Sequence, residues 1–174
     1  FRLGIGEVGS SRLTGSVRVI DQGADKTATG NQFLGSISGA ALARFGSMSG
    51  IRATTKTISV KAVTISSSIA GLVALWFATG RPTLNPVFFG IGSNKLAGAA
   101  SSTAEANYGN SAVPLPSGAE LPGGSAIAIM QVNANVPFVV PMTTPITLTA
   151  GRSLLVIGNA LNRDVLALFD FEEA

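Results

Sequence analysis

Residues 143–174 read TTPITLTAGRSLLVIGNALNRDVLALFDFEEA. ITLT (146–149) alternates apolar and polar residues, and Ala150-Gly151 supplies a turn. SLLVIG (153–158) is apolar almost throughout, and NALNR (159–163) is a polar loop. DVLALFDF (164–171) then alternates again. Val165, Ala167, Phe169 and Phe171 fall on one face, and Leu166, Leu168 and Asp170 on the other. A period of two belongs to a half-buried strand. The spacing predicts a strand, a tight turn, a second strand pairing back as a hairpin, a loop and a third strand.

The same signal extends upstream. AIAIMQVN (126–133) sets Ile127, Ile129 and Gln131 against Ala128, Met130 and Val132. VPFVVPM (136–142) has a proline near each end, which suits an edge strand or a kinked one. TTKTISVKAVTIS (54–66) is rich in β-formers, with Ile58, Val60, Ala62 and Thr64 expected on one face. AGLVALWFATG (70–80) is apolar on both faces. Such a strand belongs mid-sheet, with a loop or a neighbouring subunit over its second face. SVRVI (16–20) and VFFGIG (87–92) add short strands. Trp76, Phe77, Phe88 and Phe89 are expected in the core. With Gly/Pro turns between them, these segments predict an all-β fold, a jelly-roll-like antiparallel β-sandwich.

A chain of 174 residues suits one domain. Residues 1–16 are Gly/Ser-rich and read as an extended arm, with residues 17–174 forming a single sandwich domain. Residues 93–125 are a long Gly/Ala/Ser/Pro excursion. A short helix is expected over Ala97–Tyr108 and a rigid extended piece over Val113–Pro122. Loops of that length are usually functional or disordered, so the excursion and the arm are the expected contact elements. Two Gly-Ser-x-Ser-Gly pieces, Gly35–Gly39 and Gly46–Gly50, flank Ala40–Phe45, which suits either a strand or a turn of helix.

Chemistry is hard to place on this chain. It holds no His and no Cys, which removes Ser-His-Asp and Cys-His catalysis, thiolate metal sites and disulfides. The Gly-Ser pieces put Ile37 and Met48 where a nucleophile elbow needs Ser. A Ser-Lys dyad needs a desolvated lysine, and Lys26, Lys56 and Lys61 read as exposed or loop-bound. Asp21 and Asp25 share one polar loop without the acidic ladder of a calcium site. The nine acids are scattered, so paired carboxylates are not expected. No catalytic, cofactor-binding or metal residue is nominated, and no cofactor and no enzymatic activity are expected.

Charge points elsewhere. Only 12% of residues are charged, against 46% hydrophobic. Soluble domains usually carry about 25% charged residues. Such a surface is expected to be covered by neighbouring subunits. Residues 1–61 hold eight bases and three acids, and the remainder four bases and six acids. The bases form no cluster, so no specific nucleic-acid partner is expected. The longest apolar run, Ile69–Ala78, is too short to span a bilayer, so no membrane partner is expected either.

The piece Pro145–Gly151 and the strand Asp164–Phe171 resemble the C-terminal strands of jelly-roll virion structural proteins of tailed phages, of the head-decoration type. The resemblance covers the last third of the chain. It implies a symmetric homo-oligomer, often a trimer, bound to other proteins of a virus shell. It implies a place on the capsid surface of a virion assembled in the host cytoplasm, and it carries over no site residues. The expected function is non-enzymatic stabilisation or decoration of a phage capsid. The alternative is a receptor- or carbohydrate-binding head of a tail fibre or adhesin, although sugar sites favour aromatic loops and this chain has one Tyr and one Trp.

Overall fold

The alternation over residues 165–171 becomes β11 (Val165–Glu173), a central strand that buries Val165, Ala167, Phe169 and Phe171. A computed structural model describes residues 30–37, 45–84, 87–115 and 123–174. Every element among them is a strand. In chain order the others are β1 (Gln32–Gly35), β2 (Gly46–Arg52), β3 (Ile58–Ser67), β4 (Gly71–Ala78), β5 (Val87–Ile91), β6 (Ser93–Asn94), β7 (Glu105–Ser111), β8 (Gly124–Val132), β9 (Phe138–Leu148) and β10 (Ser153–Asn159). The expected arm 1–16, the strand at 16–20 and most of Ala40–Phe45 lie outside the described residues.

The strands form two antiparallel sheets. One runs β6-β1-β11-β3-β9 and the other β5-β7-β2-β10-β4-β8. The pairing is nested: β1 pairs β11, β2 pairs β10, β3 pairs β9 and β4 pairs β8. These eight strands are one long antiparallel ribbon rolled into two layers, which is the jelly-roll path. β5, β6 and β7 are inserted where the ribbon turns between β4 and β8, and they extend both sheets beyond β2 and β1.

Two readings of local pairing are corrected by this topology. Residues 146–157 do not form a hairpin. Gly151 makes the turn at φ 87, in the left-handed region. The chain then crosses from β9 at the edge of one sheet to β10 in the middle of the other. Inside β3, the inward face changes along the strand. Ile58 and Val60 are buried, then Val63 and Ile65, while Ala62 is only half-buried. The register shifts between Val60 and Ala62 against β9 and at Asp170/Phe171 against β11. An extra residue there turns the alternation over.

The excursion 93–125 is also corrected. Its described part holds β6, all of β7 and the start of β8, and the helix expected over Ala97–Tyr108 is instead a turn followed by strand. β7 lies between β2 and β5. Tyr108 is fully buried, and its hydroxyl donates to Asp164 Oδ1 at 2.5 Å. Burial, first of all, and that bond push the Tyr108 phenol up to about 12.

The main core fills the space between the sheets. Phe171 sits at one end, stacked on Phe33 with ring centroids 5.5 Å apart. The backbone is shaped around its ring. A Cβ on Gly92 would stand 2.7 Å from Phe171 Cζ, and one on Gly35 would stand 3.3 Å from its Cε1. A second cluster accounts for β4 and β10 being apolar on both faces. Met48, Ala78, Leu155 and Ile157 are covered from outside by Leu84 and Leu115, and Trp76 packs against them half-buried. Loops of the same chain therefore supply much of the cover on that face. Phe77 is half-buried against the main core. Phe89 is half-buried beneath the Arg81 guanidinium, 3.7 Å from the ring centre. The Phe88 side chain lies outside what is described.

The sequence GSMSG is β2, and its serines have a structural task. β1 covers β11 only from Phe169 to Glu172. Beyond it, the Val165 N–H donates to Ser47 Oγ at 2.8 Å and the Ala167 N–H to Ser49 Oγ at 3.0 Å. Hydroxyls of one sheet thus satisfy backbone donors of the other, which would be costly to bury unpaired.

Among the described residues, three lysines pair with acids of the C-terminal strand. Lys61 pairs with Glu172 at 3.1 Å, Lys56 with Glu173 at 3.6 Å and Lys95 with Asp170 at 2.7 Å. Glu173 Oε1 also accepts from the Thr103 and Ala104 N–H groups and from the hydroxyls of Ser102 and Thr103. Burial raises this carboxyl, but the four hydrogen bonds outweigh it and hold Glu173 below its ordinary value of 4.5. A depressed carboxylate adds stability above its unfolded value and loses it as pH falls through its folded value. Glu173→Gln is therefore expected to cost about 1–3 kcal/mol near neutral pH. Thermal unfolding of both proteins should show this gap closing as pH falls below 4.5. A gap that stays constant with pH would mean that charge at Glu173 is irrelevant.

Candidate interaction surface

Among the described residues, β8 is an edge of the six-stranded sheet and β9 an edge of the five-stranded sheet. Only residues 133–137 separate them, so the two open edges share one side of the sandwich. The prolines fit this position. Pro141 and Pro145 lack N–H donors, which an edge tolerates and a central strand does not. β9 is also kinked as the prolines suggest: Pro141 stands opposite Ala62 and Ile146 opposite Val60, so residues 142–145 bulge out of the ladder.

This side is uncharged and rich in exposed apolar side chains. Ile127 and Ile129 on β8, Val136 in the connection, and Phe138 and Val139 on β9 are all exposed, with Ile129 at 67% and Val139 at 57%. Leu72 on the adjoining β4 is 61% exposed. No charged residue occurs from Leu121 to Gly151, a stretch that includes all of β8 and β9. Open edges are ordinarily protected by lysines or other charges, because unpaired backbone groups and apolar side chains invite another chain. Here prolines and the bulge blunt β9, and charge protects neither strand.

A groove of about 490 Å³ adjoins this side on the outer face of β4 and β10. Leu72, Ala74, Ile129 and Ile157 line it, with Leu115 and Asn159 at its margin. Asn159 clamps Leu115 with its side-chain amide, accepting from the Leu115 N–H and donating to its carbonyl. Arg163 also lines the groove and is only 3% exposed. Its Nε donates to Ser67 Oγ at 2.8 Å and its Nη1 to the Leu72 carbonyl at 2.7 Å. Its Nη2 has no partner. Burial lowers the guanidinium from its ordinary value.

The contact elements nominated from sequence fare differently. The arm 1–16 lies outside the described residues, as do Asp21, Asp25 and Lys26. Within the described part of 93–125, β7 is internal strand, while much of 93–103 and 112–114 is exposed or half-buried, Leu96 and Val113 among it. Lys56 and Lys61 are ion-paired to Glu173 and Glu172, and are not placed as desolvated bases. Among the described residues no group of three acids is placed to hold a metal ion. No helix of the described residues is long and apolar enough to cross a membrane. The prolines of 136–142 suggest the β9 edge, but the β8 edge beside it was missed by sequence reasoning. Their signal was the charge-free run from Leu121 to Gly151. Comparison with protein-family models, with curated proteins and with solved structures gives no match.

Proposed function

We propose that this chain is a non-enzymatic structural protein of a virus particle, which stabilises or decorates a phage capsid through contacts with copies of itself and with other shell proteins. The observation that carries this reading is the charge-free, apolar double edge formed by β8 and β9 on a jelly-roll frame. Jelly rolls serve viral shells as well as lectins and cupins. Burying these side chains against a neighbour removes apolar area from water and leaves no charge to desolvate. A stable contact of this kind covers about 1,600 Å² in total. The double edge carries no charged side chain, so apolar burial is the expected source of affinity there.

The deciding experiment is native mass by light scattering behind a sizing column, over a dilution series. The expected result is a discrete multimer that dissociates on dilution. A monomer at high protein concentration overturns the assembly reading. A monomer that binds on a glycan array would support the receptor-binding head of a tail fibre or adhesin instead.

A further inference from the structure

We propose that the groove over β4 and β10 is a binding site for a small monocarboxylate with an apolar body, its carboxylate held by Arg163. The inference shares Leu72 and Ile129 with the proposed contact side, but it rests on Arg163, which that reading does not use.

A guanidinium this deeply buried ordinarily has a carboxylate beside it. Arg163 has none among the described residues. Its Nε and Nη1 hold Ser67 and Leu72, which fixes the plane of the group and leaves Nη2 as the unused donor. A fixed guanidinium edge suits a carboxylate oxygen. Phosphate is a poorer match. It carries more charge and more acceptors, and no second cation lines the groove. The remaining wall is apolar, from Leu72, Ala74, Ile129 and Ile157, and suits a hydrocarbon body. The volume of about 490 Å³ lies in the range of small-molecule sites. Nη2 is shielded from solvent, so the carboxylate reaches it by moving a wall side chain. Leu72 and Ile129, both more than half exposed, have room to turn aside.

The test is calorimetric titration of the full chain with sodium octanoate below its micelle concentration. Saturable one-to-one binding is expected. 1-Octanol, with the same tail and no charge, should bind at least about tenfold more weakly, and sodium acetate, with the charge and no tail, likewise. Arg163→Met should lose about tenfold or more in octanoate affinity. Arg163 also ties β3 to β4, so a second pair of variants guards against misfolding. Ile129→Glu places a like charge at the mouth and should weaken octanoate severalfold relative to Ile129→Gln, with octanol binding equal in the two. Three results would each overturn the proposal. One is no saturable binding to either the wild type or Ile129→Gln. Another is equal affinity for octanoate and octanol, and the last is a folded Arg163→Met that binds octanoate as well as the wild type.

Discussion

Phe171→Ala is expected to destabilise the protein by about 3–5 kcal/mol, the usual cost of emptying a buried aromatic site. For a chain of this size the unfolding midpoint should fall by roughly 6–20 °C. The ring is fully buried and stacked on Phe33, and Gly35 and Gly92 leave the space it fills. Those glycines belong to β1 and to the link between β5 and β6, so the cavity would open where three segments meet and none can collapse inward alone. Leu168→Ala is the matched comparison. Leu168 lies on the opposite face of the same strand and is 40% exposed. Its loss should cost about 1 kcal/mol or less. Calorimetric unfolding of the two variants separates them, and equal losses would show that burial of Phe171 is not what holds β1 in place.

If the chain assembles through the β8–β9 side as proposed, the paired substitution Ile129→Lys with Val139→Lys is expected to reduce the multimer to monomers. Each lysine would carry an unpaired charge into a buried contact, at about 3 kcal/mol or more. That weakens association by roughly a hundredfold for each site. Both positions are more than half exposed in the subunit, so its own unfolding midpoint should barely move. Ile91→Lys is the control. Ile91 is 63% exposed on β5, an edge on the other side of the six-stranded sheet. Light scattering should find the double variant monomeric and Ile91→Lys unchanged in mass. Dissociation by Ile91→Lys alone would move the contact to the β5 edge.

Strands whose inward residues are large and apolar were legible in the sequence. β11 declares itself through Val165, Ala167, Phe169 and Phe171. The prolines of 136–142 announced a kinked edge. β2 and β7 were not legible, because apart from Ile51 their inward positions are small or polar. Ser47 and Ser49 face inward to serve backbone donors of β11, and Tyr108 is tolerated inside because Asp164 accepts a hydrogen bond from its hydroxyl. Those partners stand 56 to 118 residues away, beyond any local pattern. Gly151 marks a turn whether the chain pairs back or crosses between sheets, so the turn alone could not choose. The face change in β3 depends on a bulge, which exists only against β9 and β11. The candidate surface left one trace in the sequence, the absence of charge over two consecutive strands. Its importance emerges only when topology makes both of them edges.

The nested pairing also sets an order of events. β10 and β11 lie in the middle of their sheets, and both follow every other described strand in the chain. During synthesis, β2 and β4 wait on either side of a gap that β10 must fill, and β1 and β3 wait for β11 in the same way. Neither sheet can close piecewise from the N-terminal side. Long-range pairing of this kind makes folding slow and leaves incomplete edges open to other chains. The ribosome must therefore release residues 153–173 before any stable sandwich exists, and a nascent chain halted short of them holds two split sheets with their apolar faces unsealed.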